Sequence, residues 1–521
     1  LKSPVALVCT SGSALLNYYP AVAEAYYSDI PLVVLSADRM PHRIDIGDGQ
    51  TIRQTGVFEP HLEAAAYLKP DVSHATASLL NNPLQKEINP KSTPQEIAEQ
   101  QLKIQQDNAN EITKTLHITF TKSGPVHLNI PMEEPLYGMT EMAVPFSVPS
   151  LKMPKNVISE KDLDQFKNKW RKAKKKIILV GVLSPDSIDK KIFNLICDDP
   201  SVVVLTEKTS NLNHSMIINS IDTLMAPIEV LEKEKQIFLQ PDILLTFGGM
   251  VVSKKIKYFL RNHPPEAHWH VDSKKAYDTY YCLKKHCLLQ PNDFLKALYS
   301  DESSPVSSYR DEVLKYYNKF GARGQQWLKT QAFSDLKVFE KIALKLPNTL
   351  QLQLANSSTI RYAQLFDLPN QTSVFCNRGT SGIDGSTATA VGAAQISKTP
   401  TLLITGDLSF FYDLNGLWNN YIPSNFRIIL INNSGGGIFR ILPGEKDTPK
   451  YDTYFETIHQ RNAKSIAKAF GFEYKSTRSM FGLNLKLNSF FKASSRPKIL
   501  EIYTPRKLND QILLDYFKSM V

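Results

Sequence analysis

Short aliphatic and β-branched runs alternate along this chain with longer stretches whose apolar positions recur every three or four residues. The first pattern predicts strands buried on both faces and the second predicts helices laid over them. Their alternation predicts parallel α/β sheets, and three successive blocks show it. The first block holds VALVCT, a helix over residues 13–25, PLVVLSA, and the strand PVHLNI ending at Ile130, with a polar, Gln-rich surface helix over 91–113. Pro145, Pro149 and Pro154 then mark a linker. The second block opens with a helix over 161–173 and continues through KIILVGV, SVVVLTE, DILLTFGG and HWHVD. A charged helical segment over 311–329 leads to the third, which holds TLQLQLAN, SVFCN, TLLITGD, RIILINN and KILEIYT. The expected architecture is therefore three successive α/β domains, at residues 1–140, 155–310 and 335–521. Ligands of such sheets bind beyond the carboxyl ends of the strands, so the residues just after each strand are where chemistry is expected.

Composition narrows the picture. The chain has 521 residues, 42% apolar and 21% charged, which is ordinary for a globular protein of about three domains. No apolar run approaches the roughly 20 residues that a membrane-spanning helix needs. Leu1-Lys2-Ser3-Pro4 leads straight into VALVCT without an initiator Met or a signal peptide, the pattern expected of a first domain cut at its N-terminus. Five scattered cysteines fit a reducing cytoplasm. Cys282-x-x-x-His286-Cys287 matches no usual zinc spacing. The net charge is +10, but the basic residues are spread out, apart from Lys172, Lys174, Lys175 and Lys176. That run reads as a solvated helix end rather than a nucleic-acid patch, and small acidic substrates are an equally good use of the surplus.

The densest chemistry lies in the third block. TLLIT ends in Gly406-Asp407, and a helix-like segment over 412–421 follows. RIILI then ends in Asn432-Asn433, 25 and 26 residues after the Asp, with Gly435, Gly436 and Gly437 next. An Asp and an Asn at neighbouring strand ends can converge on one hard cation. Magnesium takes oxygen ligands and usually shares them with a diphosphate, which glycines let the backbone approach closely. Upstream, NRGTSGIDG (377–385) precedes a helix of small residues able to pack close to the sheet, and Arg378 is placed to contact an anion.

The spacing from GD to NN is that of thiamine-diphosphate enzymes. NRGTSGIDG, GDLSFFYDLNGL and NNSGGGIFRILPG together closely resemble one family among them, the menaquinone-pathway 2-succinyl-5-enolpyruvyl-6-hydroxy-3-cyclohexene-1-carboxylate synthases. TSGSALLNYYPAVAEA, LSADRMP, GDGQTIRQTGVF and GPVHLNIPMEEPLY resemble that family's N-terminal domain. The match spans all three blocks and is weakest in the middle one and between residues 74 and 119.

The resemblance implies a pyrimidine-binding domain, a central domain and a diphosphate-binding domain, with thiamine diphosphate and Mg2+ (or Mn2+) as cofactors. It implies decarboxylation of 2-oxoglutarate and 1,4-addition of the succinyl unit to isochorismate. Asp407, Asn433 and the carbonyl of Gly435 would hold the metal. Ile383, Gly406, Leu408 and Gly436 would complete the cofactor site, with Ile383 propping the cofactor rings. Ser357 and Arg361, four apart on one helical face, match positions that hold a substrate carboxylate, which Arg can grip with two parallel hydrogen bonds. Arg378 and Arg39 match further substrate arginines, and Gln50 matches a residue at the reaction centre. For Arg39 the alternative is a loop salt bridge with Asp38 or Asp45. Lys254 and Lys255 match a basic pair facing the second substrate; Lys at the second position, where Arg is common, removes bidentate geometry. Ile438 and Phe439 match residues lining the reaction chamber. The Glu that activates the cofactor ring lies, in the family, upstream of the TSG strand; Glu24 reads as an exposed helix residue and no replacement. Family members form at least homodimers. Two other readings stay open on sequence alone: a different thiamine-diphosphate 2-oxo acid decarboxylase or synthase, and a truncated, non-catalytic cofactor-binding protein.

Overall fold

The computed structural model describes residues 3–82, 87–133, 158–231, 233–300, 305–441, 444, 446 and 448–521. The proline-marked linker at Pro145, Pro149 and Pro154 lies outside them. The chain divides into two compact units, Leu1–Lys155 and Asn156–Val521.

The first unit carries one sheet, of Val5–Cys9 (β1), Leu32–Arg39 (β2), Ala64–Tyr67 (β3) and Pro125–Met132 (β4), in the order β1-β2-β4-β3 and parallel throughout. β3 has the sequence AAAY, which no strand propensity marks; pairing with β4 and burial of Ala66 hold it in place. The helix expected over 13–25 is two, Ser13–Leu16 and Tyr19–Tyr27. Pro20 is the reason: it has no N–H to continue the first helix and instead opens the second. Glu24 is half-buried rather than exposed and accepts a hydrogen bond from Ser28 Oγ at 2.9 Å. The Gln-rich helix runs Pro94–Lys122, well beyond its expected end. A Thr93/Glu96 capping box starts it. Its β-branched final third stays helical because Thr115 and Thr119 are buried.

The second unit carries two six-stranded parallel sheets. One holds Lys176–Val180 (β5), Val202–Thr206 (β6), Ile217–Ile218 (β7), Ile243–Phe247 (β8), Ala267–Val271 (β9) and Lys285–Cys287 (β10), in the order β10-β9-β8-β5-β6-β7. The other holds Thr349–Leu354 (β11), Gln371–Phe375 (β12), Thr401–Gly406 (β13), Arg427–Asn432 (β14), Glu473–Thr477 (β15) and Lys498–Tyr503 (β16), in the order β12-β11-β13-β14-β16-β15. The three parallel sheets match the fold expected from the sequence. Side chains alternate across β5 and β6. Ile177, Leu179, Val203 and Leu205 enter a buried core that continues through Leu350 and Leu352 to Ile502, so one apolar interior joins both sheets. Ile178, Val180, Val202 and Val204 face a separate core on the outer side.

Lys176 departs from the solvated reading of its run. It is fully buried on β5, paired with Asp199 at 3.1 Å, and lies 4.7 Å from the Trp170 ring centroid. Residues 412–421 are not a helix either. Asp407–Tyr412 is helical, and the chain breaks at Asp413 before a 3-10 turn at Leu414–Leu417. There the Asp413 carboxylate turns to accept from the amides of Thr387 and Ala388 (2.7 and 2.9 Å), capping the small-residue helix Ser386–Ile396.

Candidate active site

Strand order locates the site. From β11 the chain steps to β12 on one side and to β13 on the other, so the carboxyl ends of β11 and β13 flank a crevice. The middle sheet has such a point between β5 and β8, but its own backbone fills it. A Cβ on Gly181 would fall 1.8 Å from the carbonyl oxygen of Gly249. Beyond β11, β13 and β14 a cavity of about 180 Å³ remains open, lined among others by Ser357, Ile383, Gly406, Asp407, Asn433 and Phe439.

The sheet's pleat separates the two asparagines. Asn432 points away, donating to Glu501 (2.7 Å) and to the Arg461 carbonyl (3.0 Å). Asn433 faces the cavity. Its Nδ2 donates to Asp335 at 3.0 Å, which leaves Oδ1 as the group available to a cation. Asp335 is buried and also accepts from Thr504 Oγ1 at 2.5 Å; burial pushes its carboxyl up to about 6 despite these hydrogen bonds. Asp407 is buried as well. Its Oδ2 accepts from the Gly435 amide at 3.0 Å and lies 3.2 Å from His459 Nε2. The Arg461 amide donates to His459 Nδ1 at 3.1 Å, while His459 Nε2 makes no hydrogen bond among the described residues.

Gly435 has φ +156°, and a Cβ on it would lie 2.6 Å from the Glu456 carbonyl oxygen. The chain closes there because the amide of Gly436 donates to that same oxygen at 2.6 Å. The amides of Gly435, Gly436 and Gly437 all have acceptors within the protein, so this run provides room and carbonyl oxygen rather than free N–H groups. Gly406 complements it: a Cβ there meets no atom within 4 Å, so its absence widens the cavity without being required by packing. A buried carboxylate, an amide oxygen held free, a nearby carbonyl and that unfilled space form an all-oxygen donor set suited to a hard divalent cation and its phosphates.

Two arginines bond to residues that line this cavity, Arg361 to Ser357 and Arg378 to Asn356. Ser357, with φ 68° at a strained non-glycine position, caps the helix Ser358–Ala363, and its carbonyl accepts from Arg361 Nη1 at 2.6 Å. Burial, then the charge of Arg378, lowers the Arg361 pKa. Arg378 donates Nη1 to Asn356 Oδ1 at 2.7 Å, and its buried Nε has no hydrogen-bond partner among the described residues. Asn356 was not singled out by sequence, yet it holds the whole 377–385 loop, donating to the carbonyls of Asn377 and Gly382 at 2.7 and 2.8 Å. Ile383 receives Ser409 Oγ on its carbonyl at 2.6 Å, and Leu408 and Ile438 line the same cavity. Phe439 stacks edge-on against Phe455.

The remaining predicted residues lie elsewhere. Lys255 bonds Glu229 at 2.5 Å and sits 5.7 Å from the Phe517 ring centroid, while Lys254 is exposed. In the first unit, Arg39 Nη2 donates to Gln50 Oε1 at 3.3 Å, which brings that pair together. Asp45 pairs with Arg53, and Asp38 accepts from Asn129 and from the Arg39 backbone amide; among the described residues neither carboxylate forms an ion pair with the Arg39 guanidinium.

Comparison with known proteins places the chain. Residues 143–354 match the family described as the middle domain of thiamine pyrophosphate enzymes. With three parallel sheets and an oxygen-lined strand-end cavity, this defines an α/β enzyme of the thiamine-diphosphate class. A protein of Christiangramia forsetii named 2-succinyl-5-enolpyruvyl-6-hydroxy-3-cyclohexene-1-carboxylate synthase is 49% identical over 100% of this chain and 88% of its own length. Proteins of the same name from Flavobacterium johnsoniae (46%; 100% and 88%) and Porphyromonas gingivalis (34%; 98% and 85%) agree. The chain belongs to the family of 2-succinyl-5-enolpyruvyl-6-hydroxy-3-cyclohexene-1-carboxylate synthases.

Proposed function

We propose that this protein is a transferase of menaquinone biosynthesis that decarboxylates 2-oxoglutarate and adds the succinyl unit to isochorismate, using thiamine diphosphate and Mg2+ (or Mn2+). The observation that carries the reading is the convergence of Asp407, Asn433 and Gly435 on one cavity whose lining residues Ser357 and Asn356 hold Arg361 and Arg378. Full-length similarity to synthases of that name supports it.

Asp407, Asn433 Oδ1 and the Gly435 carbonyl would hold the metal, and Gly406, Leu408 and Gly436 would border the diphosphate. Thiamine diphosphate, when bound, supplies the electron sink for loss of carbon dioxide and transfer of the acyl unit. The protein's part is binding and orientation. Arg361, steered by the Ser357 carbonyl, and Arg378, held by Asn356, present guanidinium groups to substrate carboxylates. Ile383, Ile438 and Phe439 give the chamber an apolar wall that keeps out water. Arg39 and Gln50 are assigned to substrate in the first unit. The domain limits expected from sequence, a cytoplasmic location and an assembly of at least two chains belong to the same proposal. A strictly monomeric protein with normal cofactor affinity would count against the assembly.

The test is turnover of 2-oxoglutarate with isochorismate, Mg2+ and thiamine diphosphate, in parallel with Asp407→Ala. Loss of a metal ligand should lower kcat/KM about 100-fold or more. Unchanged activity in the variant would remove the metal assignment. Turnover of pyruvate but not 2-oxoglutarate would instead favour another thiamine-diphosphate enzyme.

A further inference from the structure

Arg39 ends β2, Gln50 lies on the loop that follows, and their side chains meet at 3.3 Å. Gln50 is exposed and Arg39 is half-buried. Long polar side chains in such places lose much rotamer freedom when held, so a fixed pair needs a fixed backbone beneath it. Gln50 also has a left-handed φ of 57°, which a residue other than glycine keeps only where its surroundings impose it.

The surroundings that impose it converge on Gln54. This residue is buried, and its side-chain amide reaches both members of the pair from below. On one side, Oε1 accepts from the Gly12 amide at 3.0 Å. Gly12 has φ +83°, and a Cβ there would lie 3.2 Å from the Gln50 carbonyl oxygen and 3.4 Å from its Cα. Gly12 is thus the floor on which the Gln50 backbone rests. On the other side, Gln54 Nε2 donates to the Ala37 carbonyl at 3.1 Å and to Asn129 Oδ1 at 2.7 Å. Asn129, buried on β4, donates Nδ2 to Asp38 Oδ2 at 2.8 Å. Asp38 Oδ1 then accepts from the Arg39 amide at 2.8 Å. The contacts close a ring from Gln50 through Gly12, Gln54, Asn129, Asp38 and Arg39 back to Gln50. Breaking a buried amide out of such a ring leaves partners that cannot turn to water.

We propose that Gln54 is a positioning residue that holds Arg39 and Gln50 in register for substrate, acting through Gly12 on one side and through Asn129 and Asp38 on the other. This rests on the assignment of Arg39 and Gln50 to substrate made above. At 1% exposure Gln54 has almost no surface to offer a ligand, so its effect on the reaction passes through that pair.

The test is a double-mutant cycle in the whole enzyme. Gln54→Met keeps the side-chain length and removes every hydrogen bond; it should lower kcat/KM about tenfold or more. Gln50→Ala removes one member of the pair and the side-chain acceptor of the other. In that background Gln54→Met should lower kcat/KM less than about threefold, because its target is already gone. A tenfold loss undiminished in Gln50→Ala would mark a general packing role and overturn the proposal. So would a loss under about twofold in the otherwise wild-type protein. If Gln54→Met does not fold, Gly12→Ala takes its place: it keeps the amide that Gln54 binds and sets a Cβ against Gln50. Its loss should depend on Gln50 in the same way, and an equal loss in both backgrounds would sink the idea. If wild type fails to turn over 2-oxoglutarate with isochorismate, the functional reading falls. A crystal structure of the variant then decides the positioning role separately. Loss of the Arg39–Gln50 contact would uphold it, and an unchanged contact with Gln50 still left-handed would end it.

Discussion

At the scale of single residues, the groups that act on the site from behind matter as much as those that face it. Asp335 fixes which end of the Asn433 amide is free. Replacing it with Ala removes the acceptor, lets the amide rotate, and should weaken Mg2+ affinity by about 10–100-fold, read by metal titration of cofactor binding. Glu207 raises a different question. It is buried, and desolvation pushes its carboxyl from the ordinary 4.5 up to about 7. The folded protein thus holds this proton more tightly than the unfolded chain does. Its contribution to stability is complete below about pH 4.5 and is lost as pH rises through about 7, a change on the order of 3 kcal/mol. Glu207→Gln cannot titrate, so its melting temperature should fall less than that of wild type between pH 5 and 7.5. His127 and His268, both pushed down to about 4 by burial, act in the opposite sense, but they are common to both proteins and cancel in the comparison. Parallel melting curves would show that Glu207 ionises without cost.

At the scale of elements, legibility followed periodicity and punctuation. The buried central strands of all three sheets were readable from their aliphatic runs, and the strand ends they define located Asp407, Asn433, Arg361 and Arg378. What escaped was held by partners distant in sequence. β3 is a strand only because β4 lies beside it, and the long helix outran its expected end because burial overrides β-propensity. Asp335 carries no motif; it acquires its role from Asn433, about 100 positions away. Asp413 belongs with them. It ends one helix and caps another, Ser386–Ile396, through two backbone amides. Asp413→Ala leaves both amides without that acceptor and should cost about 1–2 kcal/mol, seen as a lower denaturant midpoint with unchanged slope.

At the scale of the whole molecule, the second and third sheets share a continuous core within the unit Asn156–Val521, so they should unfold as one. The residues assigned to the metal and diphosphate all lie in that unit. A ligand that binds only the folded form stabilises it by RT ln(1 + [L]/Kd), about 2.7 kcal/mol at 100 times Kd. Mg2+ with inorganic pyrophosphate, which mimics the diphosphate end alone, should therefore raise this unit's melting temperature by about 3–5 °C. The rise should vanish in Asp407→Ala and should need no catalysis, since pyrophosphate carries no reactive ring. Pyrophosphate separates two things that turnover mixes: whether the strand ends of the third sheet grip a metal-bound diphosphate, and whether the arginines then receive the right acid. An equal rise in Asp407→Ala would move the diphosphate site away from β13 while leaving the roles of Arg361 and Arg378 to be judged on their own.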